Sequence, residues 1–476
     1  MVLSFGSPRS SPAGLCWEES PSARENGRAV TASYPSYRLA HVGLIAILVS
    51  YCLLATLQSF ATRLQWGPDE PGHIIYVESL ALDGRLPALT HGEEDDVYRP
   101  GAARTHEAHQ PPLYYALAAL IWRAFAHLPQ QTVTFLDQEG ARQSFQVPGA
   151  VRPVRLLSVI FGAAALLFVW WTARIIFPGR PQLWLGGVAL TAFTPMFTYI
   201  TGVINNDSLL ILMFAATAWQ WARMVTFRVT WRDWAVLGLL LGVALNVKET
   251  ALALVVVSLL ALALEASPRS AGQALQWIGV ALLLTFALSG WWFLRKWWIY
   301  GSPLVYPYLY PLRGLPEAPR AALLGALPRL IFLFTFVPAD VIGAHADLPA
   351  ITRFLLVLAL LSAAGLAVAF LHRSREAISS AEYWSLLLWL FTALVVLLGL
   401  VRNVLTVDWR MGTSGGRYLV CVLPLLGLAS ARGLSALFGD ARWARLGLTL
   451  ISLLMLALNA YAIWATAAQY GILTLW

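Results

Sequence analysis

The stretch Pro112-Leu113-Tyr114-Tyr115-Ala116-Leu117-Ala118-Ala119-Leu120-Ile121-Trp122-Arg123-Ala124-Phe125-Ala126 decides the topology of this 476-residue chain. It is apolar, yet shorter than the roughly 20 residues a helix needs to cross a bilayer, and Arg123 and His127 interrupt its end. Such length and flanks suit a helix lying in the membrane interface. On either side, longer apolar runs recur: Leu39–Phe60, Pro153–Phe177, Leu183–Ile204, Ser208–Met224, Trp234–Asn246 and Ala251–Leu264. Further on come Ala274–Phe293, Ile351–Leu371, Tyr383–Val401, Tyr418–Ala431 and Leu446–Ala465.

If 112–126 does not cross, the short loops bearing Arg174 and Arg180, Arg223, Arg228 and Arg232, Arg269, Arg373 and Arg375, and Arg432, Arg442 and Arg445 share one side. They share it with the tail carrying Arg24, Arg28 and Arg38, as cytoplasmic loops should. If it crosses, every later basic loop moves outside while the tail stays in. The expectation is therefore about 11 transmembrane helices with a cytoplasmic N-terminus.

Composition supports this class. Hydrophobic residues make up 58% and charged residues 12%, against about 25% charged in soluble domains. Backbone groups in lipid can be satisfied only by helices or closed barrels, and runs this continuous and rich in Leu and Ala exclude short alternating barrel strands. The expected fold is an all-α polytopic membrane protein. The net charge of +8 is then a topological signal, and no nucleic-acid partner is expected. Cys16, Cys52 and Cys421 form neither a disulfide framework nor a zinc spacing. Residues 1–38, rich in Ser, Pro, Gly and Arg, read as a disordered cytoplasmic tail ahead of a membrane domain over 39–476. The run Leu39–Phe60 exceeds the 7–15 residues or so of a signal-peptide core and reads as an uncleaved span. Within the membrane domain, 61–152 and 294–350 are expected as external loops.

The same topology gathers ionisable residues on the opposite, non-cytoplasmic face. These are Asp69, Glu70 and His73, the loop from Asp83 to His109, Asn205, Asn206 and Asp207, Lys248, Glu249, Arg295 and Lys296. Asp340, His345, Arg402, Asp408, Arg410 and Arg417 complete the set. Charges beside a membrane are costly unless paired or wet, so a one-sided gathering points to a functional cavity, although long polar loops also belong on that face.

Six motifs populate it. Gly67-Pro68-Asp69-Glu70-Pro71-Gly72-His73 sets two carboxylates side by side after the first span, as a base or as a divalent-cation site. A solvated turn would use the same residues. In His106-Glu107-Ala108-His109-Gln110-Pro111-Pro112-Leu113-Tyr114-Tyr115 the histidines can ligate a metal or merely be polar. Asn205-Asn206-Asp207 is a tight hairpin in which Asp207 can cap the next helix or bind a ligand. Lys248-Glu249 stands between apolar residues, so the lysine needs a partner, either its neighbour or an anionic substrate. Arg295-Lys296 sits among Trp291, Trp292, Trp297 and Trp298, aromatic-belt residues in whose midst a phosphate clamp would fit. Arg417, in Gly415-Gly416-Arg417-Tyr418, suits an anchor or a phosphate ligand.

Pro-Asp-Glu-x-x-His, then Gln-Pro-Pro-Leu-Tyr-Tyr, Asn-Asn-Asp, Arg-x-x-x-x-Tyr-Gly-x-Pro-Leu and Gly-Arg-Tyr, in this order, resemble the GT-C superfamily of membrane glycosyltransferases. The likeness runs from Leu39 to about Ala431 and is greatest to bacterial relatives of protein O-mannosyltransferases and aminoarabinose transferases. It implies a polyprenyl-phosphate-linked sugar as donor and a glycan, lipid or protein acceptor reached from the outer side of the plasma membrane. It implies Asp69, with Glu70 beside it, as catalytic base or cation site, and inversion at the sugar carbon. Lys248, Arg295, Lys296 and Arg417 would bind the donor phosphate. His73, His109, Tyr114, Asn206, Asp207 and Tyr300 would line or position the substrates. The chain departs from the pattern in having Gln110 where protein mannosyltransferases carry a His before Pro-Pro. It also lacks the Trp-Trp-Asp-Tyr-Gly signature of oligosaccharyltransferases and has a polar insert over 130–150. The competing readings are a transporter or flippase and a non-catalytic subunit on the same scaffold.

Overall fold

The computed structural model describes residues 34–89, 104–136, 142–263, 271–304, 335–337, 348–371, 378–406 and 415–469. Most of the 1–38 tail, most of the 294–350 loop, and Asp340, His345, Asp408 and Arg410 lie outside these residues.

The chain is an all-α, multi-pass integral membrane protein. Among the described residues eight helices are long and apolar enough to span, or nine if one bent pair counts as a span. The long helices are α1 (Tyr34–Ala61), α4 (Val151–Ile176), α7 (Asp207–Thr226) and α10 (Ala271–Tyr300). After them come α11 (Leu348–Leu371), α12 (Ser380–Thr406), α13 (Leu423–Phe438, entered through a 3-10 turn over Gly415–Val422) and α14 (Ala441–Gln469). Two short helices of the first loop, α2 (Glu70–Glu78) and α3 (Leu113–Phe125), precede α4.

Two of the expected spans take another form. Leu183–Ile204 is a pair, α5 (Pro181–Ala192) and α6 (Pro195–Thr201), bent by 61°. Pro195 has no N–H to continue the ladder and pushes Thr194 into an extended conformation, φ −69°, ψ 121°. Trp234–Asn246 and Ala251–Leu264 form α8 (Trp231–Leu245, 15 residues) and α9 (Leu252–Ala263, 12 residues). At 1.5 Å per residue α8 reaches about 22 Å, short of a hydrocarbon core of about 30 Å, while α9 ends where the described residues do.

The centre of the bundle is α7 and the span Arg417–Phe438 that contains α13: 67% and 83% of the residues in their most apolar stretches are buried, against 28% for α1, α10, α11 and α14. Small residues permit the closest crossings: a Cβ on Gly365 of α11 would lie 1.8 Å from the Gly433 carbonyl oxygen of α13.

The described residues between α1 and α4 form a series of short elements. It runs through α2, a π-helical turn over Ser79–Asp83, a 3-10 turn over His106–His109, α3, and an antiparallel hairpin. The hairpin pairs β1 (Gln131–Leu136) with β2 (Arg142–Val147), Gln131 opposite Val147. It accounts for the polar insert over 130–150. With 13 residues, α3 is about 20 Å long. It buries Tyr114, Tyr115, Ala118, Ala119 and Trp122 and leaves Leu120 exposed. Arg123 ties its end to the π turn by donating to the carbonyls of Ala81 (2.6 Å) and Leu80 (3.2 Å).

Gly72 makes this packing possible. A Cβ there would stand 2.8 Å from Thr105 Oγ1 and 3.1 Å from both Glu107 Cγ and His106 Cε1. Thr105 Oγ1 meanwhile donates to the Gly72 carbonyl at 3.1 Å, so neither segment can move off cheaply. Gly72→Ala is expected to destabilise the protein by about 1–3 kcal/mol, as overpacking generally does. Thermal unfolding in detergent measures it, and an unchanged midpoint would show that the 3-10 turn yields.

Candidate active site

Asp69 is the N-cap of α2 but does not cap it with its side chain, and its backbone is left-handed, φ 56°, ψ 16°. That conformation costs a residue bearing a Cβ roughly 1 kcal/mol, less for Asp than for most. It turns the half-buried carboxylate towards the start of the α13 span, where Oδ2 accepts from Arg417 Nη2. Oδ1 lies 4.0 Å from His106 Nε2, which in turn is 2.8 Å from Glu107 Oε1. Glu107 is buried beneath, its Oε2 3.8 Å from His73 Nδ1 and without a hydrogen-bond partner. His73 Nδ1 also meets the Tyr115 hydroxyl at 2.8 Å, and Tyr115 stacks on Tyr76 with centroids 3.8 Å apart.

From the other side come the α7 and α8–α9 loops. Lys248 Nζ donates to Asp207 Oδ1 at 2.6 Å and lies 5.2 Å from the Tyr418 ring, the same ring that Arg417 covers. Asn206 donates to the Val247 carbonyl (3.1 Å) and Gln110 Oε1 (3.4 Å), while its own Oδ1 is buried without a partner. Tyr114 exchanges a hydrogen bond with Ser158 (2.9 Å) and accepts from the Asn205 backbone N–H (3.1 Å).

The electrostatics follow from these contacts. Burial disfavours charge on Asp69, but Arg417, with His106 and His73, outweighs it and holds the carboxyl below its ordinary value. Glu107 is held well below its own, because His73 and His106 overcome an equally unfavourable burial. Burial lowers His73 despite Glu107 and Asp69, and lowers His109 to about 4. Lys248 is raised: Asp207 more than offsets its burial. The cluster gathers three acidic side chains (Asp69, Glu107, Asp207), two basic ones (Lys248, Arg417) and the imidazoles of His73 and His106.

The expected residues separate into two groups and an exception. Asp69, His73, Asp207, Lys248 and Arg417 converge, with Asn206 and Tyr114 holding the loops around them. Arg295, Lys296 and Tyr300 stand on the end of α10, nearer Tyr76 and His109. Arg295 lies on Trp292 (5.1 Å) with Nη1 buried and without a partner, and Lys296 pairs with Glu249. Lys248 therefore partners Asp207 rather than its neighbour Glu249. His109 turns inward, bonding the His106 carbonyl at 2.6 Å.

Glu70 is the exception. Expected beside Asp69 as base or cation ligand, it is fully buried, pointing away from the cluster into an ion pair with Arg155. The three groups placed to share a divalent cation are instead Asp69, His106 and Glu107, one atom of each within 4.8 Å of the others. Such oxygen and imidazole donors fit a cation of the Mn or Zn type. Reading the sequence missed Glu107, Tyr418 and Arg155. Only Arg155, an arginine inside an apolar run, carried a signal that could have singled it out.

Among protein families, the one described as dolichyl-phosphate-mannose-protein mannosyltransferase matches residues 146–293. No curated protein matches in sequence at a significant level. Among solved structures, the Archaeoglobus fulgidus oligosaccharyltransferase in complex with Zn and sulfate aligns with a TM-score of 0.52 at 15% identity, over 90% of this chain and 53% of that one. The chain thus spans about half the length of that enzyme. ArnT from Cupriavidus metallidurans bound to undecaprenyl phosphate aligns at 14% identity over 84% of this chain and 78% of its own, with a TM-score of 0.39.

Proposed function

Since the chain has the GT-C fold of membrane glycosyltransferases, we propose that it moves a sugar from a polyprenyl-phosphate donor to an acceptor hydroxyl on the non-cytoplasmic side, with Asp69 as base. The observation that carries the reading is the Asp69 carboxylate itself. It is partly exposed, pairs with Arg417, and so lies beside the Tyr418 ring that Arg417 and Lys248 approach from distant parts of the chain.

In this reading Asp69 takes the proton of the acceptor hydroxyl as its oxygen attacks the anomeric carbon. The bond from that carbon to the phosphate oxygen breaks, and the lipid phosphate leaves with the electron pair. Displacement in one step inverts the sugar. Arg417 and Lys248 stabilise the charge that gathers on the departing phosphate, sharing themselves between it and their carboxylates. A divalent cation held by Asp69, His106 and Glu107 would supply further positive charge to the phosphate. Arg295 on α10 suits the lipid-phosphate approach, where an arginine among tryptophans matches the depth of a headgroup, while Lys296 beside it is buried in its pair with Glu249.

The test is release of undecaprenyl phosphate from undecaprenyl-phosphate-linked hexose and aminopentose donors by the purified protein, with an envelope extract as acceptor. Release above a protein-free control is expected. Its absence with every donor, alongside movement of the intact donor across vesicles, would favour a flippase. Reporter fusions at the Asn205 and Lys248 turns should read as non-cytoplasmic, and cytoplasmic readings would reject the proposed side.

Lys248→Ala is expected to raise the donor KM about tenfold or more, since hydrogen bonds to charged groups contribute about 1.5–3 kcal/mol. An unchanged KM would remove Lys248 from the phosphate site.

A further inference from the structure

Arg155, one turn into α4, is completely buried and uses all five of its N–H donors. Nε donates to Glu70 Oε1 at 2.7 Å and Nη2 to Glu70 Oε2 at 2.6 Å. Nη1 donates to the carbonyls of Ser59 (2.6 Å) and Thr62 (2.7 Å), and Nη2 also to that of Arg63 (2.9 Å). Glu70 is as fully engaged. Besides the guanidinium, Oε1 accepts the Ile204 N–H at 3.0 Å and Oε2 the Gly67 N–H at 3.3 Å. This one closed pair joins four parts of the chain: the end of α1, the turn carrying Asp69, α4, and the loop leading to Asn205-Asn206-Asp207.

The joined turn is the strained one. Among the described residues, Gln65 and Asp69 are the non-glycine residues with left-handed φ, 71° and 56°, and both lie between the anchored Arg63 carbonyl and Glu70. Strain of this kind persists only where the surroundings over-determine it. Here Gly67 is pinned by Glu70 and packs so close to Val203 that a Cβ would stand 2.9 Å from that residue's Cβ. Asn205 Nδ2 holds the Pro68 carbonyl at 3.3 Å. A buried pair with no solvent contact and no spare donor is costly to assemble and, by comparison with apolar packing, a poor way to gain stability alone.

We propose that Arg155 and Glu70 are positioning residues: their ion pair fixes the direction of the Asp69 carboxylate and locks it to the loop whose Asp207 holds Lys248. Neither touches substrate. The inference rests on the reading of Asp69 as base, and the experiment separates the two.

Arg155→Lys keeps the charge but loses the fork. Turnover per donor-binding site is expected to fall at least about tenfold, with the donor KM within about threefold of wild type, because misplacing a catalytic group by 1 Å can cost about a hundredfold. Counting per binding site removes any loss of folded protein, so unchanged turnover per site overturns the inference. Should Arg155→Lys fail to fold, the double variant Glu70→Gln, Arg155→Gln, which strands no buried charge, is read in the same way. A second readout needs no turnover. In a cysteine-free background, Asp69→Cys is labelled with an impermeant maleimide, and adding the Arg155 change should alter the labelling rate by about fivefold or more as the turn opens locally. An unchanged rate overturns the inference even if wild-type protein releases no undecaprenyl phosphate, an outcome that rejects the base reading instead.

Discussion

Asp69→Asn is expected to lower sugar transfer at least about a hundredfold while leaving donor affinity unchanged or tighter, within the range that general bases contribute. The side chain keeps its shape, and its amide oxygen can still accept from Arg417, so the left-handed turn and its anchors stay in place. What is lost is the ability to take the acceptor proton. Arg417, no longer facing a carboxylate, becomes more available to the donor phosphate, which gives affinity its sign. Single-turnover transfer and donor binding measured on one preparation separate the two effects. Equal turnover in the variant would reject Asp69 as base, and is what a transporter or a non-catalytic scaffold would show.

Arg417→Ala is expected to cost about a hundredfold in turnover, comparable to losing a preorganised donor to a developing oxyanion. It also carries a pH signature. A base works only when deprotonated, so activity falls as pH drops through its pKa. Burial raises the Asp69 pKa and Arg417, the largest opposing influence, holds it down. Without the guanidinium the pKa rises, and the acid limb of the kcat/KM profile should move to higher pH. Arg417→Lys should recover part of both effects, since a lysine returns the charge without the fork. An acid limb that stays in place would mean that Asp69 does not set it or does not feel Arg417.

The pair Lys248–Asp207 shows how far the primary structure could be read. An isolated lysine among Leu and Ala demands an anion, and Glu249 was the near candidate. In three dimensions Asp207, on the facing α7 loop, accepts from Lys248 at 2.6 Å, while Glu249 turns to Lys296 on α10. Neighbours at i and i+1 rarely face each other, so adjacency was a poor guide to pairing. The same reasoning separates Asp69 from Glu70: one residue faces the cluster, the next enters the core.

Apolar length and charge alone determined that this chain lives in a membrane and roughly where its long helices lie. These are local quantities, set by the cost of exposing backbone and charge to lipid. The tertiary structure alone decided that the run before Asn205 bends at Pro195, that Glu107 rather than Glu70 stands beside Asp69 and His106, and that Arg155 clamps the turn from within. Those outcomes depend on which side chains meet across distant helices, and no spacing along the chain encodes a direction in space.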